Sequence, residues 1–343
     1  MISVKEINEK SVWENFNLGS KSPSFLQSWA WGEFQRNLNR ECYRFGVYDG
    51  TNLVGISLVY AEVAKLGSYL YCPAGPVFKL FSEATFSKWL EFVKKLAEEK
   101  NHSFLRIDLR TLNETEKKLL IKFGFTPAPQ FTQPQCTATI DLAKNEEELR
   151  SNLSSSTRYN TNAATRKGVR IREGKKEEVK VFLDLLKQTA SRKKFILPLQ
   201  KDYPQIQFET LEKEGVMKLH IAEVTGKPLS AALIVNYADT SYYLHAANSL
   251  EKKELRASYP LVWYSIVEVK KAGSKVFDFW GVAPNDDPKH PWSGVTAFKL
   301  SFGAEKVCYE PPYDLPFSSN YQLMKAVEVW RRPVKKLLRF GRN

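Results

Sequence analysis

Histidine and cysteine are scarce in this chain. Four of each are spread over 343 residues, the cysteines at 42, 72, 136 and 308, and no C-x-x-C pair occurs. Metal ligation of the zinc-finger kind is therefore not expected. The thiols read as reduced, mostly buried groups of a cytoplasmic protein. No stretch approaches the roughly 18 consecutive apolar residues of a membrane helix. The opening run Met1-Ile-Ser-Val-Lys-Glu6 lacks the apolar core of a secretory signal. Several chemical signatures are missing as well. There is no G-x-S-x-G elbow, no GxxxxGK[ST] phosphate loop and no G-x-G-x-x-G.

Apolar residues and positive charge are abundant. Hydrophobic residues make up 43% of the chain, enough for packed cores. The length suits two domains. Lys and Arg number 51 against 38 Asp and Glu, a net charge of +13. An excess of that size points to an anionic partner: nucleic acid, a phosphorylated substrate or an acidic membrane surface.

The chain also contains itself twice. From Tyr48 it reads YDGTNLVGISLVYAEVAKLGSYLYCPAGP, and from Glu223 EVTGKPLSAALIVNYADTSYYLHAANS. Each has a glycine turn, an apolar strand, a polar turn and a strand rich in Tyr and Leu. An amphipathic helix follows in both copies (Phe86–Lys100 and Tyr259–Gly273), then a strand (Phe104–Arg110 and Lys275–Val282). A helix end, Phe-Gly and a further strand come next (Leu119–Pro129 and Ala297–Pro311). Gly50 and Gly226 lie 176 residues apart, Gly124 and Gly303 179 apart. Such alternation predicts an α/β fold built as tandem duplicated domains. A meander followed by β-α-β-α-β resembles acyltransferases of the GNAT type, in which the sheet splays and an acyl donor enters the gap. The expected domains are 1–145 and 146–317. A basic helical segment, 318–343, should return to the first.

Several segments carry candidate chemistry. Phe25–Arg36 is aromatic and helical, and Phe25, Trp29 and Trp31 suit a core face, whereas Arg36 has no core role. Ser154–Gly168 places Arg158, Arg166 and Lys167 on a polar helix, either a phosphate-binding face or a solvated one. Thr189–Phe195, with Arg192, Lys193 and Lys194, is basic and precedes Tyr203. The run from Phe277 to Gly303 ends a strand, loops, and enters a helix with Phe298 and Lys299. That lysine either holds a developing oxyanion or phosphate, or extends its head to water. Asp108 and Asp278 end corresponding strands, each a base or a turn cap.

Taken in order, the FLQSxxWGxFQ start at Phe25, the TRYNTNAATRKGV helix at Thr157, the TxxR of Thr189–Arg192 and the GxxxFKxxFG ending at Gly294 resemble the FemABX peptidyltransferases. The resemblance spans nearly the whole chain. It implies tandem GNAT-like domains that move an amino acid from aminoacyl-tRNA to a stem-peptide amine of a muropeptide precursor, nucleotide- or lipid-linked. It further implies a role in cell-wall biogenesis and cell shape, and peripheral contact with the inner membrane surface. No cofactor and no metal are expected. The family's Phe-Lys pair maps to Phe298 and Lys299, and its basic residue after the first helix to Arg36. Its aromatic acceptor contacts map to Tyr203 and to Tyr242 or Tyr243, in a cleft of domain 1 and the domain interface. An arginine common in the family is replaced here by Leu199. No heptad run marks a coiled-coil arm, so the short form is expected.

Aminolysis of the ester requires a neutral amine and a stabilised oxyanion. Lys299 with backbone amides suits the second need. Asp108, a substrate phosphate or a tRNA hydroxyl suits the first. An acyl-CoA-dependent GNAT enzyme is the alternative within the fold, but no pyrophosphate loop of the Q/R-x-x-G-x-G/A type precedes a helix. A non-catalytic RNA-binding protein is the other, but no RRM or KH signature occurs.

Overall fold

A computed structural model describes residues 1–64, 66–193 and 202–340, with backbone alone for 191–193 and 331–340. The chain divides into two units. Unit 1 is Met1–Gln133 with Tyr309–Asn343, and unit 2 is Pro134–Cys308.

In unit 1 the order is β1 (Ile2–Glu6), α1 (Lys10–Leu18), α2 (Trp29–Asn37), β2 (Cys42–Asp49), β3 (Asn52–Ala64), β4 (Gly67–Pro73) and β5 (Val77–Phe78). Then come α3 (Glu83–Glu99), β6 (Phe104–Asp108), α4 (Glu114–Lys122) and β7 (Thr126–Pro127). Unit 2 runs β8 (Cys136–Asp141), α5 (Glu146–Ser151), α6 (Ser155–Arg166), β9 (Arg170–Gly174), α7 (Val179–Lys193), α8 (Tyr203–Lys213), β10 (Met217–Val224), β11 (Lys227–Tyr237) and β12 (Thr240–Asn248). It closes with α9 (Ser258–Lys271), β13 (Val276–Asp278), α10 (Ser293–Leu300) and β14 (Glu305–Cys308). The chain then rejoins unit 1 with β15 (Tyr313–Pro316) and α11 (Asn320–Phe340).

The sheets repeat one topology. Sheet 1 is ordered β1-β2-β3-β4-β6-β15-β7, and sheet 2 is β9-β10-β11-β12-β13-β8-β14. In each the fourth and fifth strands are parallel, β4 with β6 and β12 with β13. The sixth strand is antiparallel to the fifth. Helices end alike too: Gly124 and Gly303 both take positive φ (87° and 80°), closing α4 and α10 where a Cβ would be strained.

The sixth strands are exchanged between the halves of the sequence. β8 follows the first copy but pairs with β13 and β14. β15 follows the second copy but pairs with β6 and β7. The observed division therefore falls at 133/134 and 308/309, not at the expected 145/146 and 317/318. Hydrogen bonding between strands far apart in sequence sets it.

Each sheet carries its own core. In unit 1, α3 is capped by Ser82, which accepts from Thr85 N. It buries Phe86, Trp89, Leu90, Val93 and Ala97 at helical spacing. Burying each large side chain contributes about 1.5–3 kcal/mol. Trp89 Nε1 also donates to Ser57 Oγ at 2.7 Å. In unit 2, α9 does the same with Leu261, Val262, Ile266 and Val269. α11 reaches unit 1 through Tyr321 and Met324, buried with Phe104. Arg106 on β6 pairs with Asp314 on β15 at 2.7 Å and with Glu328 on α11 at 2.9 Å.

One expectation about cysteine is overturned. Cys136 and Cys308 stand directly opposite on β8 and β14 and form a disulfide, while Cys42 and Cys72 are free and buried. The pair is 172 residues apart in sequence, and only the exchanged strand brings them together.

Candidate active site in the second unit

The site begins where sheet 2 opens. β12 and β13 pair from Thr240↔Val276 to Tyr242↔Asp278. β13 ends there, while β12 continues to Asn248 against β11 alone. A register shift between Leu233 and Ile234 leaves Leu244 as an extra residue in β12. Such a bulge re-aims side chains, and Tyr243, Leu244, Ala246 and Asn248 all line a cleft of about 650 Å³. Phe298 and Lys299 form the facing wall from α10. Lys252, Lys253 and Arg256, between β12 and α9, line it as well.

Lys299 is held from behind. Its Nζ donates to Phe279 O at 2.7 Å and to Gly281 O at 2.8 Å. Trp280 between them takes the left-handed conformation, φ 59°, which turns the two flanking carbonyls toward one point. Asp278 Oδ1 fixes this turn by accepting from Trp280 N at 2.6 Å. The Thr137 hydroxyl on β8 is shared between Asp278 Oδ1 and Trp280 O. Ala283 N donates to the Thr296 hydroxyl, and Val282 N to Cys136 O. The loop is thus tied at both ends.

The electrostatics follow from burial. Lys299 is 9% exposed, and desolvation pushes its ammonium down to about 8, opposed by the charge of Asp278. It remains mostly protonated near neutrality. An ammonium has three N–H donors, and two are taken by carbonyls. His245 on β12 is pushed down to about 4 by burial and then by the Lys299 charge. It is neutral, and its Nε2 lies 2.8 Å from Gln207 Oε1. Phe298 packs edge-on against Tyr259 and Phe302, at 5.1 and 5.2 Å between ring centres.

Comparison with known proteins identifies the family. The family model described as the FemAB family matches residues 9–118, 123–225 and 198–328. The chain belongs to the FemAB family. Among similar curated proteins is the lipid II:glycine glycyltransferase of Staphylococcus haemolyticus, 22% identical over 388 residues and covering 88% of this chain and 92% of that one. Among solved structures, FemX superposes with a TM-score of 0.83 at 16% identity, over 94% of this chain and all of that one. A tandem GNAT protein from the clavulanic acid biosynthesis pathway superposes at 0.58, with 10% identity and 92% and 98% coverage. These likenesses confirm tandem GNAT-like domains.

The candidate site residues expected from the sequence fall in different settings. Lys299 and Phe298 share the cleft of unit 2. The lysine is buried, so its head does not extend to water. Asp108 lies in unit 1, at the end of β6 beside Pro73. Burial raises its carboxyl, against the pull of Arg110, and Tyr71 Oη lies 3.4 Å away. In unit 2 the corresponding residue is Asp278. Arg36 has a structural role the sequence did not suggest: it donates to Cys42 O and pairs with Glu33, both at 3.2 Å, tying α2 to β2. The buried cation beside it is Arg44, stacked on Trp29 at 3.7 Å and paired with Glu33 at 2.8 Å. Sequence reading missed it, because a strand arginine beside apolar neighbours carries no motif.

Tyr242 and Tyr243 diverge. Tyr243 is buried against Phe277 and Phe279, with its ring on the cleft. Tyr242 lies half-buried against Trp280 at 5.8 Å. Tyr203 opens α8, half-buried. Arg158 donates to Arg150 O and Ser151 O, at 3.5 and 3.4 Å. Arg166 and Lys167 stay exposed where α6 ends. Lys194, Phe195 and Leu199 lie outside the described residues, as do the side chains of Arg192 and Lys193. Thr137 and Thr296, which hold the loop, were not foreseen: Thr137 lies far from Lys299 in sequence, and Thr296, three residues before it, finds its partner in Ala283 N across the loop.

Proposed function

We propose that this chain is a tRNA-dependent aminoacyltransferase acting on the stem-peptide amine of a lipid-linked peptidoglycan precursor. The observation that carries this reading is the Lys299 ammonium, fixed by two carbonyls at the gap of a splayed GNAT-type sheet. Relatives named for glycyl transfer to lipid II support the acceptor class. Lys252, Lys253 and Arg256 on the cleft wall suit the phosphates of a nucleic-acid donor better than a bare apolar channel would.

In the reaction the acceptor nitrogen bonds to the ester carbonyl carbon, and the carbon–oxygen bond to the ribose breaks. The amine gives up a proton and the ribose oxygen gains one. Between these events the carbonyl oxygen carries negative charge. The remaining N–H of Lys299 is the donor we assign to it. Its anchored position means that little reorganisation accompanies charge development. A substrate phosphate or the neighbouring ribose hydroxyl is the group we assign to the proton leaving the amine, and Tyr203, Tyr242 and Tyr243 to the acceptor.

The test is incubation of the protein with individual charged tRNAs and lipid II, with acetyl-CoA as the competing donor, read by mass spectrometry. A mass gain of one aminoacyl residue on the stem peptide, dependent on charged tRNA, is expected. Acetylation instead would replace this reading with the acyl-CoA one. In parallel, Arg166→Ala with Lys167→Ala should weaken tRNA binding and flatten its salt dependence by about one counterion for each phosphate no longer neutralised.

A further inference from the structure

Three consecutive residues of β8 carry the loop that holds Lys299. Cys136 O accepts from Val282 N at 2.9 Å, and Ala138 O from Phe279 N at 2.8 Å. Between them the Thr137 hydroxyl holds Asp278 Oδ1 and Trp280 O. Pro134 extends the row: a Cβ placed on Gly281 would lie 3.2 Å from its ring. The carbonyls that receive the Lys299 ammonium, Phe279 O and Gly281 O, are therefore set by the path of β8.

The other side of the same three residues is paired with β14. Cys136 faces Cys308, Thr137 faces Val307 and Ala138 faces Lys306. β14 stands at the edge of sheet 2, is four residues long, and buries none of its side chains. It has no apolar packing of its own to keep it on the sheet, and each backbone hydrogen bond at a solvated edge adds only modestly. The sulfur bond is its remaining tie. That bond is also open to attack from one side, because Cys308 is exposed whereas Cys136 is fully buried.

We propose that the Cys136–Cys308 bond is a thiol-exchange site through which a dithiol reductant turns the transfer rate down. The reductant's thiolate attacks Cys308 Sγ, and the Cys136 sulfur leaves as a thiolate and takes up a proton. The reductant's second thiol gives up its proton and displaces Cys308 as a thiolate, which is protonated in turn. The reductant ends as a disulfide and the protein with two thiols. β14 is then free to fray, and the turn at Trp280 loses its fixed backing. The effect on rate rests on the transfer reading above; the exchange step does not.

The test compares air-oxidised full-length protein with protein held in excess dithiothreitol, alongside C308S. Dithiothreitol should open the bond in the folded protein, trapped by acid and mapped by mass spectrometry after alkylation. Amides of residues 279–283 should then exchange with deuterium faster, at times too short for β10 and β11 to report global opening. Single-turnover transfer should fall about tenfold or more, since a small displacement of a positioned group is costly. C308S should match the reduced wild type in both buffers. The proposal is overturned if the purified protein lacks the bond, or if dithiothreitol opens it only on unfolding. It is also overturned if exchange at 279–283 is unchanged, or if β10 and β11 open equally, which would make the bond a general staple. A rate indifferent to redox state, or C308S transferring as the oxidised wild type does, overturns it likewise. Should no charged tRNA support transfer, the transfer reading fails on its own, while bond opening and amide exchange still decide this one.

Discussion

Lys299 commits two of its three N–H donors to backbone carbonyls, and this changes what its removal should do. An exposed helix lysine costs little to delete. Here Lys299→Ala takes a donor from the buried Phe279 carbonyl, at about 1–3 kcal/mol, and from the part-buried Gly281 carbonyl, so the variant should melt below wild type while remaining folded. Single-turnover transfer should fall by about 10²–10³, as when one preorganised oxyanion donor is removed. Because melting and rate both change, the deciding measurement is pH dependence. The ammonium must be protonated to donate, so the wild-type rate should fall as pH rises through about 8. In Lys299→Arg, which stays charged across that range, the descending limb should be absent even if the rate is low. A limb that persists in the Arg variant would assign the titration to another group.

At the scale of elements, β8 has more tasks than its six residues suggest. It pairs with β13 and β14, supplies Thr137 to the turn at Trp280, and receives Val282 N on the carbonyl of Cys136. The Cys136–Cys308 bond holds that strand to β14. Protein unfolded without reductant should therefore titrate two thiols, and four after reduction. Reduction should destabilise the fold by about 2–5 kcal/mol. Four thiols before reduction would mean the bond is not formed. None of this was legible beforehand. The helices α3 and α9 announce themselves by apolar spacing, and Lys299 by its flanking Phe298 and Phe302. Thr137 and the cysteine pair carry no such pattern, because their partners lie more than a hundred residues away. Arg36 shows the opposite error, a charge that looked unexplained until β2 supplied a carbonyl.

For the whole molecule, the duplication was readable because turn glycines and strand patterns recur in one order at nearly constant offset. The exchange of β8 and β15 was not, since backbone pairing leaves no mark in side-chain pattern. It yields a sharp contrast between fragments. Residues 134–308 hold all seven strands of sheet 2, so that fragment should show a cooperative thermal transition. Residues 146–317, the apparent second copy, lack β8 and should not. Circular dichroism melting of the two separates them, and equal behaviour would deny β8 its place.

The same exchange sets an order for biosynthesis. Sheet 2 is complete once Cys308 has been made, whereas sheet 1, begun first, waits for Tyr313–Pro316. Until then one edge of β6 has no partner strand, the core lacks Tyr313 and Leu315, and Arg106 lacks Asp314. At roughly 5–20 residues per second, the ribosome takes about ten to forty seconds to cross from β7 to β15. The amino-terminal half of the protein is thus the last to be finished. Its open strand edge is the surface a chaperone would have to guard in the meantime.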